Sequence, residues 1–175
     1  MKTPTHTLKS YITDVQDFPK KGIVFKDITS LLQSPEAVSL CLESLLSELK
    51  DKKIDKVVAI EARGFFFGML LAQTLNVPFV PVRKPGKLPR KVVSQSFDLE
   101  YGSDILELHE DAIKSGDKVL IHDDVLATGG TAEAVCKMVE SLGGQIVQCN
   151  FIMKLDFLQG AKKLASHSIY AAISY

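Results

Sequence analysis

The sequence has no net charge, since lysine plus arginine and aspartate plus glutamate each total 21. No global field pulls the chain toward nucleic acid or a membrane surface, so any anion site has to be local. Cysteine is scarce: Cys41, Cys136 and Cys149 are widely spaced, with no CxxC pair. The first two fall in helical patterns and the third in a strand pattern, which reads as buried reduced thiols in the cytoplasm. His6, His109, His122 and His167 lack metal-ligand spacing. The apolar run Gly64 to Leu71 is far too short to span a membrane. Met1 to Asp17 is too polar for a signal peptide. What is present is ordinary globular composition, 46% hydrophobic and 24% charged over 175 residues. That length suits one domain, residues 1–175, able to bury a core without disulfide or metal staples.

Strand and helix patterns alternate. Ser34 and Pro35 open a helix with Val38, Leu42, Leu45, Leu46 and Leu49 on one face. Val57 to Ile60 is a strand of the kind buried on both faces, leading through Glu61-Ala62-Arg63-Gly64 into a helix that ends near Asn76. Further strands are expected at Phe79 to Val82, Val119 to Ile121, Ile146 to Met153 and Ile169 to Ile173. A helix from about Thr131 to Leu142 stops at Gly143. This order predicts an α/β fold with a central parallel sheet flanked by helices. Ligands then bind at the carboxyl ends of the strands, where residues 61–64 and 123–131 fall.

The segment VLIHDDVLATGGT, Val119 to Thr131, carries the most chemistry. Gly129 and Gly130 permit close backbone approach to a ligand, and their N–H groups with the helix start form a nest for a phosphate. Thr128 and Thr131 add hydroxyl donors. Asp123 and Asp124 repel phosphate but accept sugar hydroxyls. Neighbouring strand residues face opposite ways, so one of the two can instead hold the loop in shape. The segment is neither a Walker A loop nor a dinucleotide GxGxxG.

At Asp123 to Thr131 the sequence resembles the ribose-phosphate signature of the type I phosphoribosyltransferases, and it resembles their adenine-using branch over most of its length. The matching blocks are Asp17 to Thr29, Glu61 to Gly68, Pro81 to Pro89, Leu99 to Gly102 and Asp123 to Thr131. The resemblance implies transfer of the phosphoribosyl group of 5-phosphoribosyl 1-pyrophosphate (PRPP) to adenine, giving AMP and pyrophosphate in purine salvage. It implies a hood from about residues 1–30 for the base, a mobile lid loop, a homodimer, and Mg²⁺ bound mainly through PRPP and water, with no protein metal ligand.

The same resemblance distributes roles. PRPP falls to Asp123, Asp124, Ala127, Thr128, Gly129, Gly130 and Thr131, with Arg63, Arg83, Lys84 and Lys87 on pyrophosphate. Arg63 can donate in bidentate fashion to phosphate oxygens, and a non-proline cis peptide is implied near Glu61-Ala62. Taken alone, the basic run Arg83 to Lys91 equally reads as a solvated loop; the resemblance makes it a lid, with Arg83 reaching toward a partner subunit. Arg90 and Lys91 lie beyond the match and receive no function. Adenine falls to Val24, Phe25, Lys26 and Leu126, with Phe25 and Leu126 on either side of a flat purine. The backbone near Val24 would read adenine's donor and acceptor pattern against that of a 6-oxo purine.

Glu100 and Arg63 are the implied catalytic residues. From pattern alone, Glu100 lies on the polar face of an alternating strand from Ser96 to Tyr101. By resemblance it manages the N9/N7 proton of adenine, and Tyr101 covers the site from a neighbouring subunit. His122, where relatives carry an apolar residue, is either a packed core histidine or a pH-sensitive group. Enzymes for 6-oxo purines commonly carry Asp where Ala127 stands, and purine-responsive regulators of this fold carry an added N-terminal DNA-binding domain, so both are secondary readings. Replacing Glu100 by Gln is expected to lower kcat more than donor affinity. Unchanged turnover in steady-state assays would remove Glu100 from the mechanism.

Overall fold

Runs that are apolar on every residue, such as Val57–Ile60 and Val119–Ile121, are stable only where both sheet faces are covered. In the computed structural model, which describes residues 8–98 and 102–175, those runs sit side by side. Strand β3 (Lys56–Ile60) pairs in parallel with β7 (Lys118–Leu126), placing Val57 beside Leu120 and Val58 beside Ile121. The sheet has five strands in the order β4-β3-β7-β8-β9, all parallel, where β4 is Phe79–Val82, β8 Gln145–Lys154 and β9 Ile169–Ser174.

Alternation along the strands sends neighbours into two cores. Val57, Leu120 and Ile173 pack with Ala37, Cys41 and Leu45 of helix α2 (Pro35–Ser47) and Phe67 and Leu71 of α3 (Gly64–Leu75). Val58, Val119, Ile121 and Phe151 pack with Ala132, Val135 and Val139 of α4 (Gly130–Ser141). Helix α3 lies so close to β3 that a Cβ at Gly68 would stand 2.5 Å from that of Ala59. Ser34 caps α2 by accepting from the Ala37 amide at 3.2 Å, with Pro35 at the first turn. Asn76 ends α3 in the left-handed region at φ 54°.

Two antiparallel ribbons stand outside the sheet. Strands β1 (Thr13–Gln16) and β2 (Val24–Asp27) form the expected hood, followed by the short helix α1 (Thr29–Leu32). Strands β5 (Val92–Asp98) and β6 (Ser103–His109) form the other, joined to the end of β4 by mutual backbone bonds between Arg83 and Glu107. The alternation seen from Ser96 begins earlier, at Val92; Leu99, Glu100 and Tyr101 lie outside the described residues. Strand β7 also exceeds the expected Val119–Ile121, because the stretch from Asp123 to Leu126 keeps pairing with β8 despite its two aspartates. Between β8 and β9 lie two 3-10 turns, Asp156–Leu158 and Gly160–Leu164. No helix among the described residues is long and apolar enough to cross a membrane.

Candidate active site

From β3 the chain passes through α3 to β4 on one side, and from β7 through α4 to β8 on the other. The carboxyl ends of β3 and β7 therefore flank the crevice where helices leave for opposite faces, the usual ligand position in such sheets. A cavity of about 190 Å³ opens there, lined by Arg63 and by residues 123–129, Thr131 and Ala132. A second, of about 210 Å³, shares Arg63, Asp123, Asp124 and Thr131 and reaches Glu61, Lys84, Phe97 and Asp104. Both stretches expected at the strand ends thus face one site.

The floor of the first cavity is the turn into α4. Gly129 is the residue before the helix, with φ 81°, a conformation costly for any side chain. Gly129 and Gly130 are buried, while Thr128 is exposed and Thr131 half-buried. A backbone turn of this type opening a helix of 12 residues presents N–H groups and the positive helix end to an anion.

Above it lie the two carboxylates. Asp124 is 4% exposed, and Asp123 accepts the Asp124 amide at 2.9 Å. Burial and the adjacent Asp124 push the Asp123 carboxyl well above the usual carboxylate range. Burial also raises Asp124, against the pull of Arg63. Arg63 Nε lies 2.8 Å from Asp124 Oδ2, yet that oxygen receives no aligned hydrogen bond. Stripping a fully buried carboxylate of its partner costs about 3–5 kcal/mol, but Arg63 is 40% exposed, so solvent screens the pair and leaves it exchangeable. Arg63 also sits 5.2 Å from the centroid of the Phe25 ring, linking the carboxylate pair to the β1–β2 ribbon. The preceding peptide, Glu61-Ala62, is cis.

The basic run is held by acids. Arg83 donates from Nη2 to Glu61 Oε1 at 3.1 Å and from Nε to Oε2 at 3.2 Å, and the Lys84 amide donates to Oε2 at 2.9 Å. The Arg83 bonds, then that amide, hold the Glu61 carboxyl below its ordinary range. Lys84 Nζ lies 3.3 Å from Asp104, and the Gly86 amide donates to Glu107 at 3.0 Å. Lys87 is exposed, and Arg90 pairs with Asp111. The Arg83 guanidinium, expected to reach toward a partner subunit, is engaged by Glu61 of its own chain.

In the hood, Phe25 packs edge-on against Phe18, centroids 5.1 Å apart. Val24 is exposed and Leu126 is buried in the pocket wall. The Lys26 side chain lies 2.7 Å from Asp14 and 4.3 Å from the Tyr175 ring centroid. Glu100 lies outside the described residues. Sequence reasoning passed over Phe18, the grip of Glu61 on Arg83, and the acids Asp104 and Glu107. Phe18 and Glu61 stood inside matching blocks, whereas Asp104 and Glu107 carry no local pattern that announces them.

The phosphoribosyl transferase domain family matches residues 27–168. The site and this match define the class: the chain belongs to the phosphoribosyltransferases. A curated adenine phosphoribosyltransferase from Flavobacterium johnsoniae is 62% identical over 96% of this chain and 99% of its own length. The crystal structure of the enzyme of that name from Thermoanaerobacter pseudethanolicus superposes with a TM-score of 0.95 at 49% identity, covering 98% of this chain and 99% of that one. The Saccharomyces cerevisiae enzyme, solved with adenine and D-2,5-dideoxy-2,5-imino-altritol 1,6-bisphosphate, gives 0.92 at 38% identity, covering 98% and 99%. Within its class the chain belongs to the adenine phosphoribosyltransferase family, which joins adenine to the phosphoribosyl group of PRPP and releases pyrophosphate.

Beneath the site, His122 is fully buried, its Nδ1 2.7 Å from Asn150 Oδ1. It is a packed core histidine, and burial pulls its imidazole down from 6.5 to about 4. The unfolded chain takes up a proton that the folded chain refuses, so this residue's contribution is complete above 6.5 and lost as pH falls to about 4. His122→Leu should flatten that limb: between pH 7 and about 4.5, the wild type should lose about 2–3 kcal/mol more of its urea-unfolding free energy than the variant does. Parallel pH curves for the two proteins would contradict it.

Proposed function

We propose that adenine phosphoribosyl transfer in this chain runs through the paired strand ends, with the turn Ala127 to Thr131 on the 5-phosphate of PRPP. Asp123 and Asp124 accept the ribose hydroxyls. Arg63, Arg83, Lys84 and Lys87 receive the pyrophosphate. The observation that carries this reading is the convergence of an amide-lined turn, two adjacent carboxylates and Arg63 on one cavity.

The bond to break joins the anomeric carbon to pyrophosphate, so positive charge grows on the ribose as negative charge grows on the leaving group. Carboxylates beside the sugar and cations beside the pyrophosphate stabilise that separation more than they stabilise the ground state. Arg63, screened and exchangeable, moves from Asp124 toward the donor. Likewise Glu61 holds Arg83, and Asp104 holds the Lys84 ammonium, at the crevice until pyrophosphate competes for them. The lid carried by the basic run from Arg83 then closes and keeps water from the donor.

The Asp123–Asp124 pair suits hydroxyl and water ligands, and Mg²⁺ bound mainly through PRPP oxygens and water would supply charge neutralisation on the pyrophosphate. The base enters beside Phe25 and Leu126, and adenine as the base accords with the yeast relative having been solved with it. Glu100 takes the base proton.

A second copy of the chain covers helix α3, where Phe66 and Met69 are 50% and 54% exposed one turn apart. Light scattering should give a dimer mass, and Phe66→Glu with Met69→Glu a monomer; a wild-type monomer would remove the dimer. The cytoplasm suits the three free thiols, of which Cys136 and Cys149 lie 3.6 Å apart, Sγ to Sγ, without a bond. Thr128→Val with Thr131→Val should raise KM for PRPP about tenfold or more and spare KM for adenine. Phe25→Ala should do the reverse. Unchanged constants in both variants would overturn the site.

A further inference from the structure

The phosphate turn does not stand alone. Gly129 meets Gly160, a residue 31 positions further along, backbone against backbone. A Cβ built on Gly129 would run into the Gly160 carbonyl oxygen and lie 3.1 Å from its carbonyl carbon and Cα. The relation holds in reverse. A Cβ on Gly160 would collide with the Ala127 carbonyl oxygen, and would lie 2.8 Å from the Gly129 amide nitrogen and 3.0 Å from the Ala127 carbonyl carbon. Neither neighbour is the end of a flexible side chain, so no rotamer change relieves either clash.

Gly160 is itself fixed. It is buried and opens the 3-10 turn Gly160–Leu164, whose Leu164 is 0% exposed in the core that α4 closes. On its N-terminal side the Leu155 amide donates to the Leu126 carbonyl at 3.0 Å, tying the same connection to the end of β7. Ala127 to Gly129 therefore lies between the pocket and a rigid wall. Gly160 offers no polar side chain and does not line the cavity of the Asp pair.

We infer that Gly160 is a positioning residue for PRPP, setting the curvature of the turn Ala127 to Gly129 so that its N–H groups converge on the 5-phosphate. This rests on the proposed phosphate role of that turn. Its consequence is specific: a disturbance at Gly160 weakens the phosphate end of the donor and leaves the pyrophosphate end, held by Arg63, Arg83 and Lys84, alone. A merely structural glycine would lower stability and affect both ends equally.

The test is calorimetric titration of the full chain with ribose 5-phosphate and, separately, with magnesium pyrophosphate. Gly160→Ala should weaken ribose 5-phosphate at least about fivefold and leave pyrophosphate within about twofold, because a methyl forced against the backbone displaces the turn. KM for PRPP should rise in parallel while KM for adenine stays. If Gly160→Ala does not fold, Leu164→Val loosens the wall without adding an atom at the turn, and the same split, about twofold to threefold, is expected. Equal losses for both ligands, or none in a folded variant, would overturn the inference. The Thr128→Val, Thr131→Val variant separates the two ideas. If it too binds ribose 5-phosphate normally, the phosphate role of the turn fails; if it weakens binding while Gly160→Ala does not, only the role of Gly160 fails.

Discussion

Two neighbouring carboxylates at the buried end of a central strand are the constraint on which the site depends. Asp123 and Asp124 sit where the sheet supplies little water, and both are pushed toward the protonated form, chiefly by burial. Such a pair persists when compensating donors stand nearby. Here they are the Asp124 amide, folded back onto Asp123, and the Arg63 guanidinium from the next strand end. Gly64, just after Arg63, lies so close that a Cβ would stand 2.9 Å from Asp123 Oδ1. The approach of α3 to the sheet, the aim of Arg63 and the position of the two carboxylates are thus a single arrangement.

Charge balance outside the pocket follows the same logic. With no net charge on the chain, Arg83 and Lys84 are matched locally by Glu61 and Asp104. These pairs are half-exposed or exposed, and pairs of that kind contribute little to stability. Their effect is positional. They keep long side chains at the crevice while leaving them free to exchange a carboxylate for a more highly charged phosphate.

Much of this was legible beforehand because it rests on short-range chemistry. The all-apolar runs placed β3 and β7 in a buried parallel sheet, Ser34-Pro35 started α2, and Gly-Gly located the turn into α4. The implied cis peptide at Glu61-Ala62 is present. What escaped depends on contacts between distant segments. Nothing near residue 160 distinguishes its glycine from one in an ordinary turn until the chain folds it against Gly129. The reach of β7 to Leu126 came from pairing with β8, which overrode two aspartates that usually end a strand. The engagement of Arg83 by Glu61 was hidden because a basic run in sequence carries no sign of the acids opposite it.

The measurement that bears most directly on the account is a base-competition assay. The purified protein, Mg²⁺ and PRPP are offered adenine, hypoxanthine, guanine, xanthine and orotate separately, and the nucleotide products are resolved by chromatography. A hood that reads adenine through the main chain near Val24 predicts AMP and no other nucleotide at comparable efficiency. IMP or GMP formed as readily would keep the phosphate turn and the Asp pair but contradict the base site, and no product with any base would contradict the transfer itself.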